Sequence, residues 1–151
     1  MTYHNPAFSS RCVVGLAITA TTAATANGPA IDTRGFSWAT IIVGFGDVSA
    51  SAGGTITIKA VRDDNSGFSS ATDMSGWTTG ALTVANALDN TTRIIHGPIN
   101  DVNMERYMRI SATNSGNETG VPMSVSVILS NGPTQTLSAS EYTAVVTATG
   151  T

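Results

Sequence analysis

Residues 35–62 read GFSWATIIVGFGDVSASAGGTITIKAVR, and their alternation decides the fold class. Phe36, Trp38, Thr40 and Ile42 alternate with Ser37, Ala39, Ile41 and Val43. Successive strand side chains point to opposite faces, so this strand is apolar on both of them. Such a strand is central in its sheet or covered on both sides. In the second half, Ile56, Ile58 and Ala60 share one face, while Thr55, Thr57 and Lys59 share the other. That is the pattern of a half-buried strand with a wet outer face. Gly53-Gly54 suits the positive φ of a tight reversal, so the two strands are expected to pair as a hairpin.

The rest of the chain repeats the motif. A strand is expected from Arg11 to Thr19, followed by a loop rich in Thr, Ala, Asn, Gly and Pro to Ala30. Short strands are expected at Ala81–Val84 and Arg93–His96, around a turn from Asn86 to Thr92. Glu105–Ala112 alternates, with Met108, Ile110 and Ala112 on one face and Tyr107 and Arg109 on the other. Asn114–Gly120 is turn chemistry. Val121–Leu129 then alternates clearly, with Met123, Val125, Val127 and Leu129 inward and Ser124 and Ser126 outward. Tyr142–Ala148 reads either as a last strand of the same sheet or as an arm pairing with a neighbour. No helical period is sustained anywhere. About eight strands separated by regular turn signals predict an all-β, antiparallel two-sheet β-sandwich. Jelly-roll and immunoglobulin-like topologies are equally compatible with that pattern. The expected organisation is an N-terminal arm over residues 1–10, a β-sandwich domain over 11–133 and a C-terminal strand or arm over 134–151.

At 151 residues the chain is one domain by size and long enough to bury a core. Only 11% of it is charged, against about a quarter in ordinary domains. A net charge of −3 offers no basic face for nucleic acid. The run from Cys12 to Ile18 followed by Ala24-Thr25-Ala26 has a superficial signal-peptide grammar. Against it, Arg11 is the sole basic residue ahead of the run, which is short and β-branched. No stretch approaches the roughly 20 apolar residues of a membrane helix.

Reactive chemistry is expected to be absent. A single cysteine, Cys12, precludes an internal disulfide framework or a multi-thiolate metal site, and its apolar run suggests a buried residue. His4 and His96 fall in no metal-ligand spacing. There is no GxSxG, no phosphate-binding P-loop and no GxGxxG opening a helix. Asp63-Asp64-Asn65-Ser66-Gly67 invites calcium, but lacks the alternating acids and closing Glu of an EF-hand loop. Asp and Asn also bond their own backbone in turns, and turn chemistry is the simpler reading. No catalytic residue, metal or cofactor is therefore expected. Trp77, placed in the loop after this cluster, is a contact residue if exposed and a core plug if buried.

The order Ile31-Asp32-Thr33-Arg34-Gly35-Phe36, a long strand to Gly46, a strand ending Val61-Arg62-Asp63-Asp64, and later Arg106-Tyr107-Met108-Arg109-Ile110 resembles small structural proteins of tailed bacteriophages. These are encoded among head genes and act as capsid decoration or cement proteins. The resemblance covers residues 31–133 and carries no catalytic motif. It implies a non-enzymatic virion protein, assembled in the host cytoplasm, that binds the outer capsid surface and bridges major capsid protein subunits. It further implies a homo-oligomer, a trimer or dimer; from charge and hydropathy, neither nucleic acid nor membrane is expected as partner. Tyr3, Phe8, Trp77 and Tyr142 are the aromatic residues expected at an interface. The rival readings are a receptor- or carbohydrate-binding module, with Trp77 and Phe68 as a stacking platform and Asp63 and Asp64 holding calcium, and a tail-tube component.

Overall fold

The computed structural model describes residues 10–21, 24–48, 54–99, 105–116, 121–131 and 144–147. They form ten strands: β1 (Ser10–Thr21), β2 (Thr25–Asn27), β3 (Ile31–Asp32), β4 (Trp38–Phe45), β5 (Thr55–Asp63), β6 (Thr72–Thr83), β7 (Thr92–Pro98), β8 (Tyr107–Asn114), β9 (Val121–Ser130) and β10 (Ala144–Thr147). A 3-10 turn, Asn86–Leu88, lies between β6 and β7. No helix among the described residues is long and apolar enough to cross a membrane.

One sheet has the order β1-β9-β4-β7-β10, and the other runs β2-β8-β5-β6 with β3 also pairing β8. All these pairs are antiparallel except β10 with β7, which is parallel. With β2 and β3 taken as one interrupted strand, β1 pairs β9, β2/β3 pairs β8, β4 pairs β7 and β5 pairs β6. These pairs nest like the two arms of one long hairpin, closed at the β5–β6 turn and folded over on itself. That nesting is the jelly roll, and it resolves the topology that alternation alone left open.

The arrangement overturns the expected hairpin between β4 and β5. β4 pairs β7 and β9, whereas β5 pairs β6 and β8. The two strands belong to opposite sheets, and their apolar faces meet across the core. Ala39, Ile41 and Val43 are fully buried on one side, and Ile56, Ile58 and Ala60 on the other. Between β4 and β5 the chain therefore passes from one sheet to the other, a gap of roughly 10 Å. Val48 plugs that crossing at 1% exposure, and its N–H donates to Asp89 Oδ1 at 2.8 Å.

The remaining core follows the alternation. Met123, Val125, Val127 and Leu129 of β9 and Met108, Ile110 and Ala112 of β8 are all buried. Each large side chain among them contributes about 1.5–3 kcal/mol. β4 is the middle strand of its five, as its two apolar faces require: the outward Trp38, Thr40 and Ile42 are half-buried. Two segments differ from expectation. β2 interrupts the loop after β1. β6 runs from Thr72, far ahead of the short strand expected at Ala81. β10 follows the first of the two readings of the tail, a strand of the same sheet, and pairs beside β7.

Candidate functional site

The acidic cluster after β5 is the turn that closes the nested ribbon. Asp63 is 4% exposed, and its carboxylate accepts the N–H of Asn65 on Oδ1 at 2.8 Å and that of Ser70 on Oδ2 at 2.7 Å. Asn65 Oδ1 accepts the N–H of Gly67 at 2.8 Å, and Asn65 O accepts that of Phe68 at 2.9 Å. These are the self-bonding turns that Asp and Asn favour. Asp64 is engaged too, its Oδ1 accepting the N–H of Arg106 at 3.2 Å. Among the described residues no cluster of His, Cys, Asp or Glu is placed to hold a metal ion.

Phe68 sits at positive φ (53°), is buried, and carries the Arg109 guanidinium over its ring at 4.4 Å. Tyr107 is covered instead by Arg106, at 4.8 Å from its ring centre. Tyr107 and Arg109 share a face as expected, but each takes its cation–π partner elsewhere.

Arg106 forms the second polar knot. Its Nη2 and Nε donate to Asp32 Oδ2 at 2.8 and 3.2 Å, and its carbonyl accepts both the N–H and the hydroxyl of Thr33 at 3.0 and 2.9 Å. The hydrogen bond from Arg106 holds the Asp32 carboxyl below its ordinary range, helped by the N–H of Arg34. The same pairing raises the Arg106 guanidinium. The knot fastens β3 to the start of β8 and is exposed, so its role is positional.

Trp77 is 3% exposed and belongs to the core cluster. It lies on β6, not in a loop, and it is a core plug; the expectation of an interface residue there is corrected. With Trp77 and Phe68 both buried, the aromatic platform of a sugar-binding surface is missing from these loops. Tyr3, Phe8 and Tyr142 fall outside the described residues. His96 lies on β7 opposite Thr40 in register, and its ring stacks on Trp38 with centroids 5.7 Å apart and planes at 28°. A shallow apolar depression of about 270 Å³ lies at the far end of β4, lined by Gly44, Phe45, Gly46, Pro122, Met123 and Ser124. It holds a single hydroxyl and no titratable group.

What the fold leaves open is the first strand. Among the described residues β1 is an edge strand, paired on one side by β9 alone. Val14 is 60% exposed, and Cys12 is exposed, against the expectation of a buried thiol. Both share the outward parity with Ile128 and Ser126, their register partners on β9. The sequence carries no warning of this, because Cys12-Val13-Val14-Gly15-Leu16 is apolar on both parities and so looks buried on both.

No protein-family model matches the chain, and neither does any curated protein sequence. Among solved structures, the chain is similar to the PBSX exported protein XepA, with a TM-score of 0.53 and 14% identity over 85% of this chain. It spans 39% of XepA's length. A subunit of the Bacillus endospore appendages, described as disulfide-linked pili, aligns at a TM-score of 0.41 and 14% identity over 82% of this chain and 86% of that one. PorU from Porphyromonas gingivalis aligns at 0.39 and 12% identity over 81% of this chain and 12% of its own. At these identities the XepA likeness speaks to the fold alone.

Proposed function

We propose that this chain is a non-enzymatic structural protein of a tailed-phage virion, bound to the outer surface of the capsid, where it bridges neighbouring copies of the major capsid protein. The observation that carries the reading is the distribution of polar chemistry. The acids of the candidate calcium loop and the Asp32–Arg106 pair are engaged in turns and strand-end knots: Asp63 and Asp64 around the β5–β6 turn, Asp32 with Arg106. Among the described residues, the exposed positions outside these knots are mostly small and uncharged, with Arg11, Arg34 and Asp47 among the exceptions. Such a surface docks with few charges to desolvate. Double-sheet jelly rolls recur in viral capsid and lectin domains, although fold alone does not fix function. The likeness to XepA, an exported protein, is compatible with a body that acts through its surface. The buried Trp77 and Phe68 weigh against the lectin alternative.

Mechanically, DNA pressure pushes the shell outward, and a protein bound across a junction of subunits opposes their separation by its binding free energy. The test is co-assembly. The full chain, co-expressed with the shell protein of the same virus, is expected to sediment with heads in fixed proportion and to raise the temperature at which they open. Recovery with tails alone, or in the supernatant with heads no less stable, overturns the reading.

A further inference from the structure

We propose that the free edge of β1 over Ser10–Val14 is a self-association site, at which it pairs antiparallel with the same edge of a second copy. Such a contact goes beyond the adhesive reading above and is separable from capsid binding.

An unpaired sheet edge is a template for another strand, and natural chains blunt it with short strands, bulges, inserted charges or covering segments. Among the described residues, three of the four edges are blunted. The β2/β3 edge is broken into pieces of 3 and 2 residues. β10 is 4 residues long. β6 is long, but its pairing with β5 slips twice, Gly76 and Gly80 take positive φ of 75° and 67°, and Asp73 pairs with Lys59 beside it at 2.7 Å.

Among the described residues, the first part of β1 has no bulge and no strand covering its outer edge, and it carries one charge. From Ser10 to Val14 it follows β9 without interruption, Ser10 opposite Ser130 through to Val14 opposite Ser126, and the register slips only beyond Val14. Arg11 is the sole charge in this segment. Ser10, Arg11, Cys12 and Val14 are all exposed.

The count of open edges identifies the occupant. A head-to-tail contact between copies needs two different open edges, whereas a two-fold contact needs one patch that is complementary to itself. Among the described residues one edge qualifies, and it is self-complementary. With the dyad at Cys12, the centre of the unbroken run, Arg11 faces Val13 of the second copy and Ser10 faces Val14. No like charges stand opposite one another, an arrangement that would otherwise oppose pairing. Val14 and Cys12 then extend the row begun by Ile128 into the second subunit.

The contact is modest in area. Five paired residues bury less than the roughly 1,000 Å² of a stable interface, so free copies associate weakly. Copies held side by side gain from high effective concentration, and the same edge then links neighbours firmly.

Sedimentation velocity of the full chain at rising concentration, up to about 1 mM, is the primary test. A short thiol-specific bis-maleimide supplies a second readout, since Cys12 would lie against Cys12 of the second copy. The wild type is expected to show a concentration-dependent dimer that the reagent captures through Cys12. Val14→Lys and, independently, Ser10→Lys, both at exposed positions, are expected to weaken dimerisation at least tenfold while leaving the melting temperature unchanged. A chain that stays monomeric throughout and is not captured overturns the proposal. So does a dimer that persists in both lysine variants. Capsid occupancy, measured separately, bears on the capsid reading and not on this one.

Discussion

A Cβ on Gly28 would collide with the backbone carbonyl of Gly15. The two glycines bring β1 and the end of β2 into backbone contact, and the N–H of Gly28 donates to Ile110 O at 2.8 Å. On the other side of the approach, a Cβ on Gly15 would stand 2.7 Å from Val127 Cγ2. Gly28→Ala must therefore displace main chain, and is expected to cost about 3 kcal/mol, the upper end of overpacking penalties. Gly35 supplies the contrast: φ is 87° and a methyl there would meet no neighbouring atom, so Gly35→Ala costs only left-handed strain, about 1–2 kcal/mol. Urea unfolding of the two variants should rank them in that order.

The turn that closes the ribbon rests on Asp63. Its two oxygens take one backbone N–H each, from Asn65 and Ser70, and hydrogen bonds to a charged acceptor contribute about 1.5–3 kcal/mol. Asp63→Ala removes both at a buried position and is expected to lower stability by about 3 kcal/mol, with the denaturation midpoint falling at unchanged slope. Added calcium or chelator should leave the melting temperature of the wild type unmoved, because both carboxylate oxygens already have backbone partners. A calcium-dependent rise in melting temperature would restore the metal reading of this loop.

Asp32 provides a pH dependence with a definite sign. Its folded pKa lies below the ordinary carboxylate value of 3.8 because Arg106 and the N–H of Arg34 favour the charged form. A depressed folded pKa gives stability that is present above the unfolded pKa and is lost as pH falls through the folded one. The wild type is therefore expected to lose stability from about pH 4 down to its acid limit more steeply than Asp32→Asn. The pair is exposed, so added salt should shrink the difference. Urea midpoints of both proteins across the acid range, at low and high salt, measure it.

Much of this fold is legible in the sequence, and the failures have one physical origin. Period-two alternation says which way a side chain faces, so Met123, Val125, Val127 and Leu129 are found in the core where they are expected. It also ranks β4 as central from its two apolar faces. Alternation is silent about which strand lies alongside. The glycines before Thr55 suggest a reversal within one sheet, yet the chain crosses to the other sheet. The available signal is Val48, the one large apolar residue between Phe45 and Ile56, buried where the chain leaves β4. The edge of β1 is illegible for a related reason: apolar residues on both parities mark a strand as well covered, and nothing local shows that among the described residues no strand pairs with its outer edge.

Trp77 makes the same point at β6. Between the pairs Lys59–Thr78 and Val61–Asp73 the register slips, so β6 carries extra residues there and simple alternation fails. Met74 and Trp77, three positions apart, both turn inward, which an unbroken strand could not achieve. Gly76 at φ 75° lies within that slip. Trp77 should therefore emit at short wavelength and resist iodide quenching, while the half-buried Trp38 on the outer face of β4 is quenched more readily. Trp38→Phe and Trp77→Phe, each leaving one tryptophan, separate the two signals. Trp77→Ala is expected to cost about 3–5 kcal/mol, as for other buried aromatic truncations. A Trp77 signal as accessible as free tryptophan would mean that β6 does not bulge inward and that this side chain is available to a partner after all.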